Sequence, residues 1–160
     1  MRALFALFAA CLLAAGCPSA YQRTYEQTTE RLQMEQHAAD EREAAAHAQA
    51  SRYAAVIYFD VGSADIGPEG QRELRWFIQQ MQPYPKAVFL IQGFADSTGT
   101  EGANQTLSED RAGAVASYLR AQGIDSSRLI VQGYGARSTA APNATAHGRG
   151  RNRRVEVTVQ

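Results

Sequence analysis

The sequence predicts a mixed α/β two-layer sandwich, with two main helices packed on one mixed sheet in the order β-α-β-α-β-β. Three observations carry that prediction. Short apolar runs of strand type recur at 54–59, 88–91 and 129–131. Two segments between them repeat apolar residues at helical spacing. The last residues alternate Val155, Val157 and Val159 with Arg154, Glu156 and Thr158, the period-two signature of a strand with one buried face.

Each element has its own warrant. Ala54-Ala55-Val56-Ile57-Tyr58-Phe59 forms the first strand, closed by Asp60. Gly67-Pro68-Glu69 starts a helix with proline at its first position, where a missing N–H costs nothing. Leu74, Phe77, Ile78 and Met81 follow on one face, Trp76 falls on the other, and Pro83 with Pro85 stops the helix. Val88-Phe89-Leu90-Ile91 is the second strand, leading into Gly93-Phe94-Ala95-Asp96. A loop with Ser97, Thr98, Gly99 and Gly102 opens a second helix over about 101–122, ended at Gly123. Leu129-Ile130-Val131 makes the third strand, and a polar loop over 135–150 separates it from the fourth. The roughly 108 residues from 52 onward suffice to bury one core.

The N-terminal third reads differently. Met1-Arg2 and an apolar run of about a dozen residues have a secretory layout and are too short to span a bilayer, which needs roughly 20. Leu13-Ala14-Ala15-Gly16-Cys17 resembles a lipobox, with alanine at 14 where leucine is commoner. That resemblance implies that residues 1–16 are a signal peptide and that Cys17 becomes an acylated N-terminus held in membrane lipid. Pro18, rather than an aspartate, points to the outer membrane, with the chain on its periplasmic face. Residues 17–51 are then a polar tether: good helix formers dominate, as in Glu41-Arg42-Glu43-Ala44-Ala45-Ala46, but no sustained heptad stripe appears. Tyr21, Tyr25 and Leu32 keep rough helical spacing and mark a candidate partner-binding face.

Charge and cysteine usage exclude several functions. Lys+Arg and Asp+Glu are both 16, so no charge excess points to nucleic acid. Downstream of Cys17 there is no cysteine, which removes disulfides and thiolate metal sites from the globular part. No nucleophile–base pair, metal constellation or cofactor motif is visible, so the chain does not read as an enzyme.

One residue stands out by its chemistry. Arg111 falls among Leu107, Ala114, Val115 and Tyr118 on the apolar face of the second helix. A guanidinium there either snorkels to solvent or is held by specific partners, because it cannot shed its charge. Asp96 ends the second strand, just before the loop into that same helix, and Asp60 ends the first. Ligands of α/β sheets tend to bind beyond these carboxyl ends. A fixed carboxylate beside a fixed guanidinium suits a zwitterion bearing both an ammonium and a carboxylate.

A set of ordered segments then becomes specific. Tyr58-Phe59-Asp60, Ile91-Gln92-Gly93-Phe94-Ala95-Asp96, Gly99, Asn104, Leu107-Ser108-Glu109-Asp110-Arg111-Ala112, Val115, Tyr118-Leu119, Gly123-Ile124 and Gly150-Arg151-Asn152-Arg153-Arg154-Val155-Glu156 resemble the OmpA-like C-terminal domain family in order and spacing. The resemblance covers residues 52–160 and implies a Pal-type lipoprotein with an OmpA-C-like fold. It also implies non-covalent binding of peptidoglycan through the diaminopimelate of its stem peptides. Asp96 would pair with the ligand ammonium and Arg111 with its carboxylate, while Asp60, Asn104, Leu107 and Arg153 look like supporting positions. Arg154, which shares the parity of Glu156, reads as solvated. The alternative is an accessory lipoprotein whose tether binds a protein partner of a Tol-Pal-like or other envelope machine.

Overall fold

A computed structural model describes residues 19–160. The expected signal segment 1–16, Cys17 and Pro18 lie outside the described residues. The chain divides at Glu43, and its second unit is Ala44–Gln160.

Helix α1 spans Ala20–Ala50 without interruption. Ser19 starts it as a capping box: the Ser19 N–H donates to Gln22 Oε1 at 2.9 Å, and the Gln22 N–H donates back to Ser19 Oγ at 3.2 Å. At 1.5 Å per residue it is about 46 Å long. Most of its first part is exposed, Tyr21, Tyr25, Leu32 and Met34 included. Helix propensity and i,i+4 pairs such as Arg31–Glu35 at 3.2 Å support this stretch. Among the described residues no helix is long and apolar enough to cross a membrane. The last turns differ: Ala50 is fully buried in the core of the second unit.

The globular unit contains β1 (Ala54–Tyr58), α2 (Pro68–Met81), β2 (Phe89–Gly93), α3 (Glu101–Ala121), β3 (Leu129–Gly133), α4 (Ala146–Asn152) and β4 (Arg154–Val159). The strand order is β1-β4-β2-β3, with β4 antiparallel to both its neighbours and β2 parallel to β3. The expected mixed sandwich of two main helices on one sheet is therefore present. The loop expected over 135–150 departs from the reading, since it holds the seven-residue α4. Gly148 and Gly150 mask that helix in the sequence; its start is set by Thr145, whose hydroxyl accepts the Gly148 N–H at 3.0 Å.

The core lies between the sheet and α2 with α3. Ala55 and Ile57 of β1, Val155 and Val157 of β4, and Phe89 and Ile91 of β2 face Leu74, Phe77, Val115 and Leu119 of the helices. Phe77 and Phe89 meet edge to face at 5.4 Å. The buried face of α3 is rotated from the expected one: it runs Asn104, Ser108, Arg111, Ala112, Val115, Ala116, Leu119, with Leu107, Ala114 and Tyr118 only half-buried at its flank. Arg111 lies at the middle of the face either way.

Two glycines set how closely α3 rides on the sheet. A Cβ on Gly93 would stand 1.9 Å from Ser108 O, and one on Gly133 would stand 2.5 Å from Glu109 Cγ. Ser108 itself is fully buried, donating to Gln105 O and accepting the Gly135 N–H, both at 2.8 Å. The helix backbone thus rests directly on the ends of β2 and β3, one turn before Arg111. Gly93→Ala is expected to destabilise by about 3 kcal/mol and lower the melting midpoint by about 10 °C, because a backbone carbonyl cannot move aside as a side chain can. Gly113→Ala, where a Cβ meets nothing within 4 Å, should be neutral or slightly stabilising. Parallel thermal melts of the two variants check this.

Candidate functional site

The site forms where β1 and β2 end and α3 passes above them. Arg111 has no solvent-exposed surface. Its Nε donates to Ser63 O at 2.8 Å, Nη1 to Phe94 O at 3.0 Å and Nη2 to Asp60 O at 3.0 Å. The Phe59 ring lies 5.4 Å from the guanidinium carbon. All three acceptors are neutral carbonyls, so the charge is solvated by backbone dipoles and has no carboxylate of its own. The three bonds leave one N–H on each of Nη1 and Nη2. Burial and the positive charge of Arg153 pull the Arg111 guanidinium down to about 10, against the opposing pull of Asp96. It remains protonated at neutral pH.

Asp96 is 5% exposed. Its Oδ1 accepts the Thr98 N–H at 2.8 Å and its Oδ2 accepts Nη1 of Arg153 at 3.0 Å. Arg153 in turn donates Nε to Phe59 O at 3.0 Å. Burial alone would raise the Asp96 carboxyl, but the bonds from Thr98 and Arg153 outweigh it and hold the group below its ordinary value. The ionised carboxylate is thus bonded to Arg153 and acts on Arg111 only through space, so the trio of Asp96, Arg111 and Arg153 carries a net positive charge. The side chain of Arg153 keeps 17% of its surface exposed, which makes it the more accessible of the two cations.

The structure brings Asp96, Arg111 and Arg153 together, along with the main chain of Asp60. The Asp60 side chain is exposed, and its contribution to Arg111 is the carbonyl. Asn104 is buried on the α3 face ahead of Arg111, with its Oδ1 3.8 Å from where a Cβ of Gly99 would stand. Leu107 is half-buried beside it. Neither makes a polar side-chain contact with the charged trio.

Arg154 corrects the reading of the sequence. It shares the face of Glu156 as expected, and Nε donates to Glu156 Oε1 at 2.6 Å, yet only 6% of it is exposed. Phe94, projecting from the end of β2, offers the planar guanidinium a ring at 4.0 Å, and Tyr134 stacks on the same ring at 5.4 Å. Cover by an aromatic ring from the end of another strand is not visible in an alternation pattern.

Residues that no local pattern marks brace the loops around the site. Asn152 is fully buried, and its Oδ1 accepts the N–H groups of Ala140 and Ala141 at 2.8 and 2.9 Å. Its Nδ2 donates to Asn143 Oδ1 at 2.8 Å, and that oxygen also accepts the Ser97 N–H at 3.2 Å. One asparagine thus ties the 140–143 loop to the segment that follows Asp96. Ser63 and Thr98 were likewise missed as ligands of the charged pair; Gly62, with φ +69°, was the available sign of a tight turn after Asp60.

The entry of the chain lies at the other pole. Ala50 and Tyr53 precede β1, and Tyr84 donates its hydroxyl to Gln49 Oε1 at 3.3 Å there. The five residues of β1, about 17 Å, separate this pole from Asp60.

The chain is similar to known proteins. The chain is 42% identical over 103 residues to probable lipoprotein YiaD of Escherichia coli, covering 64% of this chain and 47% of that protein. It is 38% identical over 103 residues to peptidoglycan-binding protein ArfA of Mycobacterium tuberculosis, covering 64% of this chain and 32% of that one. The chain thus spans less than half the length of either relative. The crystal structure of the peptidoglycan-associated lipoprotein from Burkholderia pseudomallei superposes with a TM-score of 0.63 at 27% identity, covering 66% of this chain and 90% of that one. The family model of the OmpA family matches residues 58–153, from the end of β1 through Arg153, and the chain belongs to that family.

Proposed function

We propose that the globular unit binds peptidoglycan without covalent chemistry, by receiving the zwitterionic end of diaminopimelate in the stem peptide at Asp96 and Arg111. The observation that carries this reading is the charge arrangement: a fully buried guanidinium with only neutral carbonyl partners, beside a buried ionised carboxylate. A ligand carboxylate supplies the missing counter-charge to the two arginines, and a ligand ammonium takes the remaining lone pairs of Asp96. Arg153 is the first cation a ligand meets. Arg111 has no free surface, so it reaches the ligand once the turn at 60–63 shifts on binding. Names of relatives support the wall as target, since one is called peptidoglycan-binding and another peptidoglycan-associated.

The test is co-sedimentation with purified sacculi. The wild-type chain should pellet, and free diaminopimelate should release it. Pelleting that free diaminopimelate does not reduce would overturn the ligand, and a chain that stays soluble would overturn wall binding altogether.

In the same reading Cys17 carries the lipid and residues 17–51 are the tether of an outer-membrane protein on its periplasmic side. The placement of the chain's entry at the pole opposite Asp96 suits a bridge, since lipid and wall would then pull on opposite ends of the sheet. Cys17→Ser should abolish palmitate labelling in cells; retained labelling would place the acyl chain elsewhere.

A further inference from the structure

β3 is an edge strand, last in the order β1-β4-β2-β3. Its bonds to β2 fix which of its main-chain groups face outward. The Tyr134 N–H donates to Gly93 O at 2.9 Å. By the period of two, Ile130 and Gln132 also point their groups into the sheet, whereas Leu129, Val131 and Gly133 point theirs away. Two of those outward groups are already used. The Leu129 N–H donates to Ser126 O, and Gly133 O accepts Nε2 of Gln105 at 2.9 Å. Among the described residues this leaves four outward groups without a partner: the Leu129 C=O, both groups of Val131 and the Gly133 N–H.

That pattern is complementary to itself. In an antiparallel pairing with Val131 opposite the Val131 of another copy, Leu129 stands opposite Gly133. The two Val131 residues exchange N–H···O=C bonds, and each Gly133 N–H meets the Leu129 C=O of the other copy. The groups then left facing one another are the Leu129 N–H and Gly133 C=O, the two already satisfied within each chain. A generic extended peptide would instead leave its own groups unpaired at those points, at a cost.

The surroundings fit the same partner. Leu129–Gly133 holds no charge and no proline, the usual guards of an edge strand, and Ile130 and Val131 are 36% and 43% exposed. An open groove of about 590 Å³ flanks the strand, lined by Glu109, Val131, Gln132, Gly133, Tyr134 and Arg137. Continuing the register beyond the strand brings the end carrying Arg137 beside the end carrying Asp125 in the other copy, two exposed residues of opposite charge.

We infer that β3 pairs antiparallel with β3 of a second copy of this chain, joining two four-stranded sheets into one of eight. Sedimentation equilibrium of the full chain should show a concentration-dependent dimer. Val131→Pro removes a central donor that no intrachain bond uses and should weaken dimerisation about ten-fold or more. Val56→Pro, at the corresponding outward position of the other edge strand, should leave the dimer intact. Val131→Cys covers the case in which the proline variant fails to fold: Cα atoms of such a pair stand about 5.5 Å apart, within disulfide range, so air oxidation should link two chains above the wild-type background. Four results would overturn the inference. They are a wild-type chain that stays monomeric at all attainable concentrations, dimerisation unchanged in a folded Val131→Pro, no linkage of Val131→Cys chains above that background, or occupation of β3 by a different protein on a monomeric chain.

Discussion

Replacing Arg111 with methionine is expected to cost about 3–5 kcal/mol of folding stability and to abolish co-sedimentation with sacculi. Methionine keeps much of the volume but removes the donors that hold three carbonyls, at Asp60, Ser63 and Phe94. Each acceptor left buried without a donor costs roughly 1–3 kcal/mol, reduced where water can enter. The loss is more than local, because those carbonyls belong to the turn after β1 and to the end of β2, and Arg111 is what joins them to α3. Arg111→Lys keeps the charge, but a single ammonium cannot reach acceptors spread around a planar fork, so it should recover a minor share of stability. Chemical denaturation of the three proteins, with pelleting of each under native conditions, checks both parts. Equal stability of wild type and Arg111→Met would refute the role of the guanidinium as the clasp of the site.

The second large effect is expected at Asp96. Asp96→Asn keeps the shape and an oxygen for the Thr98 N–H, but it removes the charge that faces Arg153 and the proposed ligand ammonium. Affinity for sacculi should fall about 10–100-fold, the worth of a charge-assisted bond, while circular dichroism stays native. The pH dependence has a definite sign. The Asp96 carboxyl titrates below its ordinary value in the folded chain, so the unfolded chain binds its proton more readily. Its contribution to stability is therefore complete above the ordinary carboxylate range and declines as pH falls through the depressed value. Pelleting should accordingly be flat from pH 8 down to about 5 and weaken only under more acid conditions. A loss centred near neutrality would mean that some other group controls binding.

Much of the fold was legible because its determinants are local. Gly67-Pro68 marks the start of α2, Gly123 with φ +91° marks the end of α3, and the valines of β4 alternate as read. Where local signals conflict, the reading lapsed. Two glycines hid α4, and the half-buried Leu107, Ala114 and Tyr118 drew the apolar face of α3 slightly off its true line. Arg154 looked solvated because parity tells which face a side chain takes, but not that the Phe94 ring covers it.

The sequence by itself determined the class of fold, the family, and the anomaly of an arginine amid apolar neighbours, since periodicity, capping and motif order are all properties of nearby residues. Only the tertiary structure decided how that arginine is satisfied. Its partners lie 48, 17 and 51 residues away, and the Asp96–Arg153 pair spans 57. Those distances close because β4 inserts between β1 and β2, which places Arg153 beside the ends of both strands. No local pattern encodes that insertion: it follows from the sheet burying Val155 and Val157 at its centre, a choice made by the whole core at once.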